Sequence, residues 1–184
     1  MISGAGVREP AVSGIFYPSD PGELYESIHR CFTHPLGPGR FPKNRSGDTI
    51  SRVECLIVPH AGYLYSGPVA AHSYNVAYDF FCEGGESTTV VILGPNHHGN
   101  GSGLAVSEAD YWRTPIGVTS INKDLRNALR DACDLVDVDD SAHLREHSIE
   151  VQIPFLQVIS HSRGEWSFLP ISMMLPRVLE TSIT

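Results

Sequence analysis

The sequence predicts an α/β fold with a mixed, largely parallel sheet, and three observations point there. Leu56-Ile57-Val58-Pro59-His60 and Val90-Val91-Ile92-Leu93-Gly94-Pro95-Asn96-His97-His98 share one layout, an apolar run that stops at a proline and then presents histidine. Between them Ser66-Gly67-Pro68 opens a helical stretch reaching Phe81, the length that a crossover between parallel strands requires. Strand and helix patterns then alternate along the rest of the chain, as in layered α/β proteins. Two parallel neighbours joined by a right-handed crossover end on the same sheet edge, where ligands of open α/β sheets bind. His60 and His97 are therefore expected to converge.

Taken in order, residues 8–20 are rich in proline, glycine and aromatics and read as an arm. Ser19 or Asp20 caps a helix over 21–31, with Leu24, Ile28 and Cys31 on one face. Residues 34–48 carry three prolines and three glycines and read as a loop. Strands follow at 53–58 and 90–93, flanking the 66–81 helix, then at 104–106 and 117–121, the last two as a candidate antiparallel pair with a turn at 110–115. Asn122 or Asp124 caps a helix running to Cys133, and 135–138 suggests another strand. Residues 146–160 fit either periodicity; Pro154 disfavours a regular version of both, and length selects a helix. A strand at 166–171 closes the pattern.

With 184 residues and 41% hydrophobic content, residues 1–184 read as a single domain. A formal charge of −8 with 13 Lys+Arg and no basic cluster argues against a nucleic-acid surface. Cys31, Cys55, Cys82 and Cys133 form no Cys-x-x-Cys pair, which excludes a thiolate zinc motif and suits a reducing cytoplasm. No apolar stretch approaches the roughly 18 residues of a spanning helix, so no membrane association is expected.

Several segments, in order and at consistent spacing, carry a resemblance. They are Arg8-Glu9-Pro10, Gly14-Ile15-Phe16-Tyr17-Pro18, Pro59-His60-Ala61-Gly62-Tyr63, Ser66-Gly67 and Ala70-Ala71-His72-Ser73-Tyr74. Leu93-Gly94-Pro95-Asn96-His97-His98, Tyr111-Trp112-Arg113-Thr114-Pro115 and Glu146-His147-Ser148-Ile149-Glu150 continue the series. Together they resemble the Memo family, over about residues 8–171. The resemblance implies a three-layer α/β/α fold similar to class III extradiol ring-cleaving dioxygenases, which use a mononuclear non-haem Fe(II). It implies His60 and His97 as metal ligands, with Fe(II) the first expectation and Cu or Zn the alternatives. It further implies a third ligand and a catalytic histidine from a C-terminal region without a counterpart here. No catalytic residue is therefore assigned, and the chain is expected to be the N-terminal part of the family fold. Family association also implies a small-molecule or peptide ligand and a radical SAM protein as partner.

Neutral imidazole is a good ligand for Fe, Zn or Cu, whereas histidines at strand ends otherwise serve to cap loops. His98, Tyr63, Glu146 and His147 are candidates for substrate contact or for supporting the ligands. His72, inside the crossover helix, reads as a packed residue. Two other readings compete. His143-Leu144-Arg145-Glu146-His147 matches H-x-x-E-H, which on letters alone predicts a zinc hydrolase. That motif needs a continuous helix and a ligand farther downstream, and beyond the Glu146–Glu150 segment only Glu165 and Glu180 remain as acidic candidates. The second is a protein- or peptide-binding module without catalysis. A shortened sheet with an open edge also predicts association between copies.

Overall fold

The alternation of strands and helices is realised in a computed structural model, which describes residues 6–43, 54–83, 87–161 and 165–174. Strand β1 is short, Val7–Arg8, and leads through the arm to helix α1, Pro21–Thr33. The Asp20 side chain caps α1 by accepting the Glu23 amide at 2.9 Å, and Pro21 occupies the first turn, where its missing N–H costs nothing. Leu24, Ile28, Cys31 and Phe32 are buried beneath it. Helix α2, Tyr63–Glu83, begins three residues before the expected start and carries Pro68 in its second turn. A side chain at Gly67 would overlap the Cys31 Sγ, so glycine is what lets α1 and α2 approach closely.

The sheet holds seven strands: β1, β2 (Ser87–Pro95), β3 (Leu104–Val106), β4 (Tyr111–Thr114), β5 (Gly117–Ile121), β6 (Asp137–Val138) and β7 (Glu165–Met173). Its centre is β7, which pairs in parallel with all nine residues of β2 along one edge. On the other edge β5 lies parallel to the start of β7, and β3 antiparallel to its end. The β1–β4 and β3–β6 pairs are parallel and β4–β5 is antiparallel, so the sheet is mixed and mostly parallel. Helices flank it. Helices α1, α2 and α4 (Ile153–Ser160) enclose one core, in which the Phe155 ring stacks on Tyr74 and meets Phe32 edge-on. A second core gathers Trp112, Ile149, Phe168 and Leu169, with Leu125 and Leu129 of α3 (Lys123–Ala132) against it.

Four expectations are corrected. Residues 54–60 form no helix and belong to no ladder, and residue 53 lies outside the described residues, so the first strand-Pro-His segment is not β2's parallel neighbour. The one partner of β2 among the described residues is β7. The antiparallel partner of β5 is β4, a strand formed inside the expected 110–115 turn, rather than β3. The strand expected at 135–138 shrinks to β6. The helix expected over 146–160 is a 3₁₀ turn at Glu150–Gln152 followed by α4, with Pro154 in its first turn. Residues 146–149 stay irregular because the Glu146 carboxylate takes the His147 and Ser148 amides, each at 2.9 Å, in place of helical carbonyls. Of the 34–48 loop, residues 34–43 form no helix or strand, and the rest lie outside the described residues. Among the described residues no helix is long and apolar enough to cross a membrane.

Candidate metal centre

Three separate pieces of chain deliver histidine to one place. His60 ends the 54–60 segment, just before the N-terminus of α2. His97 lies two residues beyond β2, and His147 sits in the irregular 146–149 stretch. One ring nitrogen from each falls within 4.8 Å of the others, a group that could hold a metal ion. His60 Nε2 and His97 Nε2 are 3.3 Å apart, and the His97 and His147 rings stack at 4.5 Å. The convergence of His60 and His97 thus holds although their strands are not neighbours.

The second layer explains the orientation. Glu146 is 3% exposed and spends both oxygens on this corner. Its Oε2 accepts the His97 backbone N–H at 2.7 Å, and its Oε1 lies 2.9 Å from His97 Nδ1. A carboxylate can only accept, so Nδ1 carries the proton and Nε2 keeps its lone pair, the arrangement typical of a metal-binding histidine. Burial alone would raise the Glu146 pKa. The hydrogen bonds from the His97 ring and from the Ser148 and His97 amides prevail and bring it down to about 2. Burial lowers the pKa of His60, as does the neighbouring His97 ring, with Glu146 opposing. Burial likewise lowers His147, with Glu146 opposing and the other histidines adding to the decrease. Neutral imidazoles are the form a metal takes.

The donor set and its spacing fit a metal. Two imidazole nitrogens held about 2.0–2.1 Å from one ion at tetrahedral angles lie roughly 3.3–3.4 Å apart. That matches the 3.3 Å between His60 and His97. A metal ion or a shared proton between these nitrogens removes the repulsion of their facing lone pairs.

The loop carrying Glu146 and His147 is pinned from beneath. Arg8 donates to the His143 carbonyl, through Nε at 2.9 Å and Nη2 at 2.7 Å, and to the Glu146 carbonyl at 2.9 Å. It pairs with Glu150 at 2.7 Å, and its guanidinium lies 4.1 Å over the Trp112 ring. Glu150 also accepts the Ala11 and Val12 amides and the Tyr17 hydroxyl. From above, Ser148 Oγ donates to the Pro95 carbonyl at 2.9 Å. Gly94 permits that contact, since a Cβ there would stand 2.6 Å from Ser148 Oγ and 2.7 Å from Ile149 Cγ1.

The remaining candidates separate. His98 is exposed and outside the cluster. Tyr63 is turned into the core, where its hydroxyl donates to the Val151 carbonyl at 2.8 Å, so it does not face the histidines. His72, expected to be packed, is exposed instead, with its ring Nε2 3.1 Å from the Leu36 carbonyl. His147, expected to support ligands, is a full member of the cluster. The zinc hydrolase reading is overturned. Residues 143–147 are not helical, and His143 is 1% exposed against Trp112, with Nε2 3.2 Å from the Ala105 carbonyl. It cannot share an ion with His147. Arg8 and Glu150 were not singled out from sequence as individual residues; the only signal was that both fall in segments carrying the family resemblance.

The family described as Memo-like protein matches residues 8–181. A MEMO1 family protein of Methanopyrus kandleri is 47% identical over 169 residues, which is 91% of this chain and 56% of the relative. One from Methanocaldococcus jannaschii is 45% identical over 171 residues, 91% of this chain and 57% of the relative. One from Methanococcus maripaludis is 44% identical over 177 residues, 96% and 60% respectively. The chain thus spans a little over half the length of these relatives. With the match covering nearly all of its length, the chain belongs to the Memo-like family.

Proposed function

We propose that the chain contributes a mononuclear metal site of the kind related to non-haem Fe(II) dioxygenases, with His60 and His97 as ligands and His147 as a third nitrogen. The observation that carries this reading is the ring of three imidazoles, one of them oriented by a buried carboxylate that accepts its Nδ1–H. Fe(II) is the proposed metal, with Cu or Zn as alternatives. A bound Fe(II) would supply open positions for a chelating substrate and O₂. Within the chain itself, Glu146 holds the His97 proton at Nδ1, and the Arg8–Glu150 pair holds the His147 loop in place. His98, exposed beside the cluster, is proposed to contact substrate.

The same reading extends to a three-layer α/β/α arrangement, a cytoplasmic location, a small-molecule or peptide ligand and a radical SAM protein partner. For the isolated chain it includes association between copies. Metal analysis after anaerobic purification tests the core of it. The expected result is near-stoichiometric Fe, Cu or Zn in the wild-type protein and background levels in His60→Ala and His97→Ala. Background metal in the wild-type protein would instead favour a binding module without a metal, and stoichiometric metal unaffected by either substitution would place the ion away from His60 and His97.

A further inference from the structure

Glu146 ties His97 to the loop that carries His147, and Ser148 Oγ reaches from that loop to the Pro95 carbonyl. These bonds do not reach the backbone that carries His60. Residues 54–60 join no ladder, 54–57 are exposed and 58–60 only partly buried, so strand pairing and packing hold this segment weakly. The buried Gln152, at the end of the 3₁₀ turn Glu150–Gln152, supplies an anchor. Its Nε2 donates to the Ser148 carbonyl at 3.0 Å and to the Pro59 carbonyl at 3.4 Å. An amide nitrogen carries two protons, so both bonds can be made at once. One ends on the residue after His147, the other on the residue before His60.

The direction of that amide is set from behind. The Tyr74 hydroxyl donates to Gln152 Oε1, and carbonyls only accept, so the amide nitrogen is the atom that faces Pro59 and Ser148. Tyr74 is itself held, because its ring stacks on Phe155 with centroids 4.6 Å apart. Burial pushes its pKa well above the ordinary tyrosine range, which keeps the donating proton in place. We propose that Gln152 is a positioning residue, a clip oriented by Tyr74 that fixes the spacing between the His60 and His147 backbones and so lets three imidazoles reach one ion. The proposal deepens the metal reading and rests on it for that consequence, while the clip itself acts on the metal-free chain.

Gln152→Met keeps the length of the side chain and removes both donors. In the metal-free wild-type protein, nuclear Overhauser contacts are expected between the His60 and His147 rings, whose centroids lie 5.8 Å apart. Gln152→Met should lose them. With Cu(II) as the probe, the nitrogen hyperfine pattern in electron paramagnetic resonance should fall from three imidazoles to two. Affinity in chelator competition should fall about 10–100-fold, with the far-ultraviolet circular dichroism spectrum unchanged. Tyr74→Phe retains the ring that stacks on Phe155 and removes only the bond that orients the amide. It should move the same readouts in the same direction, and it decides the matter if Gln152→Met does not fold. Ring contacts and a Cu(II) pattern unchanged in a folded variant, even one of lower stability, overturn the proposal. Wild-type protein that binds no Cu(II), with the ring contacts still lost in Gln152→Met, would refute the metal reading and uphold the clip. No Cu(II) binding with the contacts retained in the variant refutes both.

Discussion

Glu146 grips His97 at two points, the backbone N–H at 2.7 Å through Oε2 and the ring Nδ1 at 2.9 Å through Oε1. One carboxylate thereby fixes both the position of the residue and the direction of its free lone pair. The same Oε1 accepts the His147 and Ser148 amides, so a single buried side chain shapes the loop on which the third imidazole rides.

Glu146→Gln tests that arrangement. An amide retains the shape but can no longer accept with a full negative charge, and supporting residues of this kind typically contribute 10–100-fold to metal affinity. The expected outcome of a competition titration with a chromophoric chelator is affinity roughly 10–100-fold weaker, with the circular dichroism spectrum unchanged. Equal affinity in both proteins would remove Glu146 from the site.

Arg8→Met tests the support beneath. The substitution strands the buried Glu150 carboxylate, and loss of one partner of a buried ion pair costs about 3–5 kcal/mol. Urea unfolding should show a loss of that order. Adding Glu150→Gln should restore part of it, because the orphaned charge is then gone. A loss that is simply additive in the double variant would show that the two residues act independently.

The parts of this molecule that were legible in sequence are those governed by local pattern. Asp20 and Asn122 cap helices where expected, and β2 and β7 stand where apolar runs end at glycine, proline or turn residues. His60 and His97 were legible for the same reason, as histidines directly after apolar, proline-ended runs. Pairing was not, because an apolar run such as 54–58 has the same letters whether it joins a ladder or lies beside one. The irregular 146–149 stretch was hidden too, since its helical letters are overruled by the Glu146 side chain taking two amides. His143 and His147 look like a helical pair in sequence, yet the chain turns between them and sends one into the core and the other to the three-histidine cluster.

His143 should make stability depend on pH. Burial, and then the positive Arg8, depress its pKa from 6.5 to about 4, with Asp140 and the Ala105 carbonyl opposing. Between those values the unfolded chain binds a proton that the folded one refuses, so the contribution is full above pH 6.5 and is lost as pH falls toward 4. The loss from this group is on the order of 3 kcal/mol. His143→Gln retains a donor for the Ala105 carbonyl but does not titrate, so its urea midpoint should fall less between pH 7 and pH 4.5 than that of the wild type. Parallel curves for the two proteins would assign the acid sensitivity to other groups.

Gly94→Ala places a methyl group where the Ser148 Oγ and Ile149 Cγ1 already lie, at 2.6 Å and 2.7 Å from the new Cβ. Neither can retreat freely. Ser148 is bonded to the Pro95 carbonyl, and Ile149 is packed into the core beside Phe168. The 146–149 stretch must therefore shift outward from β2, carrying Glu146 and His147 with it. Overpacking of this kind costs about 1–3 kcal/mol. It should also weaken metal binding although Gly94 has no side chain to offer a ligand. Thermal melts with and without added metal separate the two effects. The expected result is a lower melting temperature in metal-free buffer and a smaller rise on adding metal than in the wild type. An undiminished rise would mean either that the His147 loop moves without carrying its imidazole away from the other two, or that the ion rests on His60 and His97 alone.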